Sequence, residues 1–282
     1  MGLAALTSVI WGLAFVATRW GLDGFTAAQL TALRFLIAGL PVLLVPRPAL
    51  PWRILVAIGT TLFAGQFLLL FLAFRAGMPP GLAAVTQQTH VFLTVLLAAA
   101  LLGERPTPGQ WTGMGLAAAG LVLVGLTVGA DLPPVALLLA LAGALSWAVG
   151  NILLKRAQGV PMFPLVVWCS LVPPIPMLLL SAAWGEPSLL TALARAPWRS
   201  LAAALYLGGA ATSVYALWGR LLVRYPAATV TPFALLAPIA GVLGSAVAFG
   251  EVFPPLRYAG MALVIAGVAV VVARPPVTAR AS

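Results

Sequence analysis

Charge is what this sequence has least of: only 7% of its 282 residues are Asp, Glu, Lys or Arg, and just 5 of them are acids. A chain so poor in charge cannot cover a water-facing surface in the usual way, which excludes an ordinary soluble domain. A single cysteine, Cys169, rules out an intrachain disulfide or a cysteine metal cluster. A single histidine, His90, with no acid at membrane depth leaves no metal-ligand set. There is no G-x-x-x-x-G-K-S/T phosphate loop, and the connectors are too short to hold a nucleotide-binding domain, so a primary pump is not expected. No cofactor is expected.

What the chain has is apolar length: 62% of it is hydrophobic. A helical span needs roughly 20 apolar residues, and breaks fall where Pro, Gly and charge cluster. Ten stretches qualify, at 4–21, 28–46, 53–75, 80–102, 108–127, 134–155, 162–183, 199–222, 227–249 and 255–273. The first lacks the preceding basic residues and following cleavage site of a signal peptide and is read as a permanent helix. Thr107-Pro108, Pro133-Pro134 and Tyr225-Pro226 place Pro near helix starts. The runs are continuously apolar and too long for barrel strands, which excludes a β-barrel. The net charge of +10 would suggest nucleic acid in a polar chain. Here basic residues sit at helix ends, where they anchor to headgroups, so membrane lipids and a small-molecule substrate are the expected partners and nucleic acid is not.

The two halves repeat. Leu102-Gly103-Glu104, Pro108 and Gly113-Met114 return as Phe249-Gly250-Glu251, Pro255 and Gly260-Met261 at an offset of 147. Pro51-Trp52-Arg53 returns as Pro197-Trp198-Arg199, and Trp11 pairs with Trp147 at an offset of 136. Residues 1–130 and 131–282 thus read as two five-helix units. Five is odd, so the second enters the membrane upside down, the inverted repeat of many secondary transporters. The expected fold is an all-α integral membrane protein, ten transmembrane helices in two inverted repeats around a central cavity. With the N-terminus inside, nine basic connector residues, including Arg274 and Arg280, lie inside and five outside, which predicts that both termini are cytoplasmic.

A Trp in each opening helix, Leu-Arg-Phe at 33–35 and Gly-Glu closing the fourth helix of each half resemble the drug/metabolite transporter superfamily and its EamA-like exporters. The chain is most similar to bacterial amino-acid exporters, including the aromatic amino-acid type. The resemblance implies a basket with helices one, three, four, six, eight and nine around the cavity and five and ten peripheral. It implies export of amino acids across the bacterial inner membrane, although relatives with this pattern also carry drugs, nucleotides or nucleotide-sugars.

Polar groups at membrane depth are costly and become substrate-binding candidates by default. Gln66 lies mid-way along the third span, and Gln87, Gln88 and His90 along the fourth, so all four should face a wet interior. His90 reads as a substrate hydrogen-bonding group, a proton site or a neutral structural histidine. Trp11, Phe15, Trp147, Tyr215 and Trp218 supply rings for an apolar side chain, and Asn151 shares a helix face with Trp147. Trp20, Trp52, Trp111 and Trp198, near span ends, suit the interfacial belt. Arg34 is the one basic residue deep in a span, and structure is the favoured role over an anionic substrate group. Glu104 and Glu251 read as helix caps. A lipid-modifying enzyme would need acids meeting in the membrane, whereas all five fall near helix ends, so no enzymatic activity is expected. No filter-like loop or charged ring suggests a channel.

Overall fold

The computed structural model describes residues 2–129, 131–157 and 159–273, so Arg274 and Arg280 of the orientation argument lie outside the described residues. Apart from one isolated bridge between Gly129 and Leu132, the described residues form helices and connectors. Nine helices among them are long and apolar enough to cross a membrane. They are α1 (Gly2–Gly21), α2 (Ala27–Leu44), α3 (Trp52–Arg75), α4 (Pro80–Leu102), α6 (Pro134–Leu154), α7 (Met162–Ala183), α8 (Trp198–Arg224), α9 (Pro232–Phe249) and α10, whose apolar run is Pro255–Val272. The remaining long helix, α5 (Pro108–Gly125), has 18 residues but opens on Gly109, Gln110, Trp111 and Thr112, which makes it less apolar than the nine. It starts where the Thr-Pro signal puts it: Thr107 caps the Gln110 amide, and the Gln110 side chain returns to the Thr107 amide. The connector from Ala183 to Pro197 carries two turns of helix at Leu189–Arg195.

Several spans are not continuous α-helix. The backbone widens to π geometry at Gly59–Gly65 in α3 and at Tyr206–Ala210 in α8, starting 147 residues apart. In α4 the helix breaks at Gln87 and Gln88, where the His90 and Val91 amides reach back only three residues. Positions 234 and 235, 147 residues later, fall in Thr231–Leu235, which is likewise tightened into a 3-10 turn. The fourth span, expected at 80–102, is found at Pro80–Leu102 and is interrupted just before His90. Such interruptions survive at membrane depth only where neighbours or a cavity meet the freed backbone groups.

Contacts fix the helix directions. Gly113 faces Gly267 and Gly120 faces Gly260, so α5 and α10 run antiparallel. A Cβ added at Gly120 would lie 2.5 Å from the Gly260 carbonyl oxygen, and one at Gly267 the same distance from that of Gly113. Only glycine permits this backbone approach, the usual means of packing helices where lipid offers no hydrophobic drive. Helices α4 and α9 are also antiparallel, with Gly81 beside Glu251 and Ala84 beside Gly241. By contrast, α1 and α9 run parallel, as do α4 and α6.

Candidate functional site

One cavity of about 390 Å3 lies among eight helices, α1 to α4 and α6 to α9, a size in the usual range for small-molecule sites. The six helices expected to surround it do so; α2, through Arg34, and α7, through Met162 and Val166, join them. Neither α5 nor α10 contributes a lining residue.

All ten residues singled out from the sequence border this cavity. On one wall Trp11 packs at 5.0 Å from Tyr215 and 5.3 Å from Trp218, ring centre to ring centre, and its indole N–H donates to the Ala211 carbonyl at 3.1 Å. Phe15 lies one turn further along α1. On the facing wall the His90 imidazole lies flat on Trp147, centroids 3.8 Å and planes 15° apart. Asn151 follows one turn later and donates to Thr94 Oγ1 at 3.1 Å, while the Thr94 hydroxyl donates to the His90 carbonyl. This chain of contacts ties the two faces of α4 and α6 into one surface.

The amides sit between the walls. Gln87 donates to the Ala140 carbonyl at 3.0 Å, but its side-chain oxygen is buried with no partner among the described residues, as is His90 Nδ1. Gln66 is buried against the floor, and Gln88 lies at the break in α4. Buried polar atoms without partners are costly, and their gathering in one cavity is the mark of a site that a polar ligand completes.

Among the lining residues that had no sequence signal of this role are Phe63, Phe67 and Met162. In a span where nearly every residue is apolar, nothing in the pattern separates a cavity-lining Phe from a lipid-facing one. Arg34 did carry a signal, as the lone deep cation. Its guanidinium carbon lies 3.9 Å from the centre of the Phe67 ring, and the residue borders the cavity.

The cavity is sealed at one end and reaches the surface at the other. Thr18, Gln66 and Leu70 at its closed end are almost wholly buried, whereas Met162 and Leu222 at its mouth are 39% and 37% exposed. The mouth lies at the end of the bundle where Ala4 packs with Leu221 and Val230. Beyond the seal, the Gly81 amide at the start of α4 donates to Glu251 at 3.1 Å, and Trp20 meets Phe249 edge to face. Glu251 thus caps α4 across the interface, not the helix that follows it, and Glu104 does not cap but pairs with Lys155 at 2.6 Å. Burial pushes the Glu251 carboxyl above its ordinary range. Outside it, Arg257 is pinned by Asp131, the Thr127 hydroxyl and the Thr127 carbonyl. The hydrogen bond from Arg257 holds the Asp131 carboxyl below its usual range. Trp52, Trp111 and Trp198 are more than half exposed at span ends, as an interfacial belt requires.

The chain resembles known proteins along nearly its full length. A "Probable amino-acid metabolite efflux pump" of Salmonella typhimurium is 38% identical over 274 residues, covering 94% of this chain and 92% of that protein. Its Escherichia coli namesake is 35% identical over the same coverage. A "Probable terminal-alkyne amino-acid exporter" of Streptantibioticus cattleyicolor is 30% identical, covering 93% and 90%. A solved crystal structure superposes with a TM-score of 0.63 at 24% identity over 95% of this chain and 94% of that one, a likeness of fold. The EamA-like transporter family matches residues 1–126 and again residues 134–273. With that match over both halves, and with nine apolar spans among the described residues, eight of which border the cavity, the chain is a multi-pass membrane protein belonging to the EamA-like transporter family.

Proposed function

We propose that this protein is a secondary exporter of amino acids in the bacterial cytoplasmic membrane, working by alternating access through the central cavity, with both termini cytoplasmic. The observation that carries this reading is a central cavity, sealed at one end and open at the other, in which aromatic faces and under-partnered amides converge. A one-sided opening is what one half of an alternating cycle requires. The substrate class follows from the names of three relatives, each an amino-acid exporter or efflux pump matched along most of its length. Aromatic walls suit an apolar side chain, and the amides suit the ammonium and carboxylate of an amino acid.

In this reading α5 is the tenth span, and residues 1–130 and 131–282 are inverted repeats. Support comes from the antiparallel pairing of repeat-related helices, α4 with α9 and α5 with α10, from the π turns 147 residues apart, and from the separate family match to each half. The substrate-binding set is Trp11, Phe15, Gln66, Gln87, Gln88, His90, Trp147, Asn151, Tyr215 and Trp218. The basic-residue bias supports a cytoplasmic cavity mouth, the loading side for an exporter. Among the described residues no acid lines the cavity, which favours transport over membrane-embedded catalysis. Expression in a bacterium loaded with amino-acid-containing dipeptides tests the reading. Faster appearance of the free amino acid outside the cells is expected, and release no faster than in cells carrying an empty vector overturns it.

A further inference from the structure

Arg34 is 4% exposed in the middle of α2, where an unpaired charge is expensive, and buried cations in membrane proteins are accordingly found with carboxylates or carbonyls. Arg34 has neither. Among the described residues its side chain makes no hydrogen bond or ion pair, and Nε is sealed from solvent without an acceptor. Every acid in the chain is engaged elsewhere. Asp23 pairs with Arg19, Glu104 with Lys155 and Asp131 with Arg257. Glu186 accepts from Thr26, and Glu251 from the Gly81 amide. The groups that do hold Arg34 are aromatic: Phe67 at 3.9 Å and Phe35 at 5.6 Å from its guanidinium carbon.

Ring faces attract a guanidinium without using its N–H donors, so they fix the group while leaving its planar fork unspent. That fork matches a carboxylate bidentately. The other polar side chains bordering the cavity, Gln66, Gln87, Gln88, His90 and Asn151 among them, include no acid to compete for it. We infer that Arg34 is the receptor for the substrate's carboxylate, so that the cavity selects solutes carrying a free carboxylate and is completed electrostatically only when loaded. The inference rests on the reading of this cavity as the amino-acid pathway.

The test uses purified full-length protein in proteoliposomes and labelled phenylalanine and leucine, with the matching amides and decarboxylated amines as competitors. Amide and amine should compete at least about tenfold more weakly than the parent amino acid, the loss expected for a charge-assisted hydrogen-bonded pair. Arg34→Gln should raise the amino-acid KM at least about tenfold while leaving competition by the amide unchanged, and Arg34→Lys should recover part of the loss. Equal competition by amide and parent in the wild type, or full discrimination retained in Arg34→Gln, overturns the inference while leaving amino-acid transport standing. If Arg34→Gln does not fold, the wild-type competition and Arg34→Lys decide. If the wild type carries no amino acid, that wider reading falls, and thermal stabilisation by 3-phenylpropionate decides the narrower one. Stabilisation of the wild type that is lost in Arg34→Gln or weakened in Arg34→Lys sustains it, and stabilisation of neither protein, or equal stabilisation of both, overturns it.

Discussion

The imidazole of His90 and the indole of Trp147 lie face to face, 3.8 Å between centroids, joining the broken helix α4 to α6 at the centre of the cavity. In a site whose walls are aromatic, this stack presents one continuous flat surface with a polar edge. Trp147→Ala should lower transport kcat/KM about tenfold, the scale of about 1.4 kcal/mol for a lost aromatic contact in a double-mutant setting. Trp147→Phe should lose much less. Both variants must retain the wild-type size-exclusion profile for the comparison to count, and equal rates in Trp147→Ala and wild type would remove the stack from the pathway.

The glycine crossing of α5 and α10 bears on stability and not on the cavity. Gly120→Leu forces side-chain atoms into the Gly260 carbonyl and should cost at least the 1–3 kcal/mol of typical overpacking, roughly, because a backbone must move. Gly115→Ala, on the same helix with nothing near its missing Cβ, should be neutral or slightly stabilising. Thermal unfolding of the two variants in detergent checks this pair, and similar melting temperatures would contradict the crossing.

Sidedness is open to chemistry because the only native thiol, Cys169, is buried. On a Cys169→Ala background, Leu222→Cys at the cavity mouth should react with a membrane-impermeant maleimide supplied from the cytoplasmic side. Val252→Cys, 84% exposed beyond the seal, should react from the opposite side. The reverse pattern would put the termini outside.

Glu251 makes the sealed end sensitive to pH. Its carboxyl is raised in the folded protein by burial, so the folded state holds a proton that the unfolded state releases. Its stabilising contribution is therefore full below about pH 4.5, the ordinary glutamate value, and lost as pH rises through the raised folded value. Melting temperature should fall across that window in the wild type and less in Glu251→Gln. Asp131, held low by Arg257, acts in the other direction below its ordinary value and lies outside this window. A wild-type profile as flat as that of Glu251→Gln would contradict the assignment.

Much of this arrangement was legible beforehand, for a physical reason. In hydrocarbon a polar residue has few places to go, so Gln66, Gln87, Gln88, His90 and Asn151 announced a shared interior, and all five border one cavity. Trp11 and Trp147 announced themselves by recurring in the repeat. The break at Gln87 was not legible, since no Pro or Gly stands at 87 or 88 and the backbone there answers to tertiary packing, whereas the turn at Thr231–Leu235 holds Pro232, a residue type that bends helices. Phe67 was hidden by uniform apolarity. Glu251 was misread because capping was sought in its own next helix, whereas the amide it meets is 170 residues away in sequence. Local pattern carries no information on such a partner.

The most direct test of the exporter reading is uptake of labelled amino acids into proteoliposomes containing the purified protein, against protein-free liposomes, with aromatic, small neutral and charged substrates compared. Saturable uptake of neutral or aromatic amino acids, reduced in His90→Ala and Trp147→Ala protein that remains folded, is the predicted result. Uptake of every amino acid at the protein-free background, with folded protein in the membrane, would contradict it.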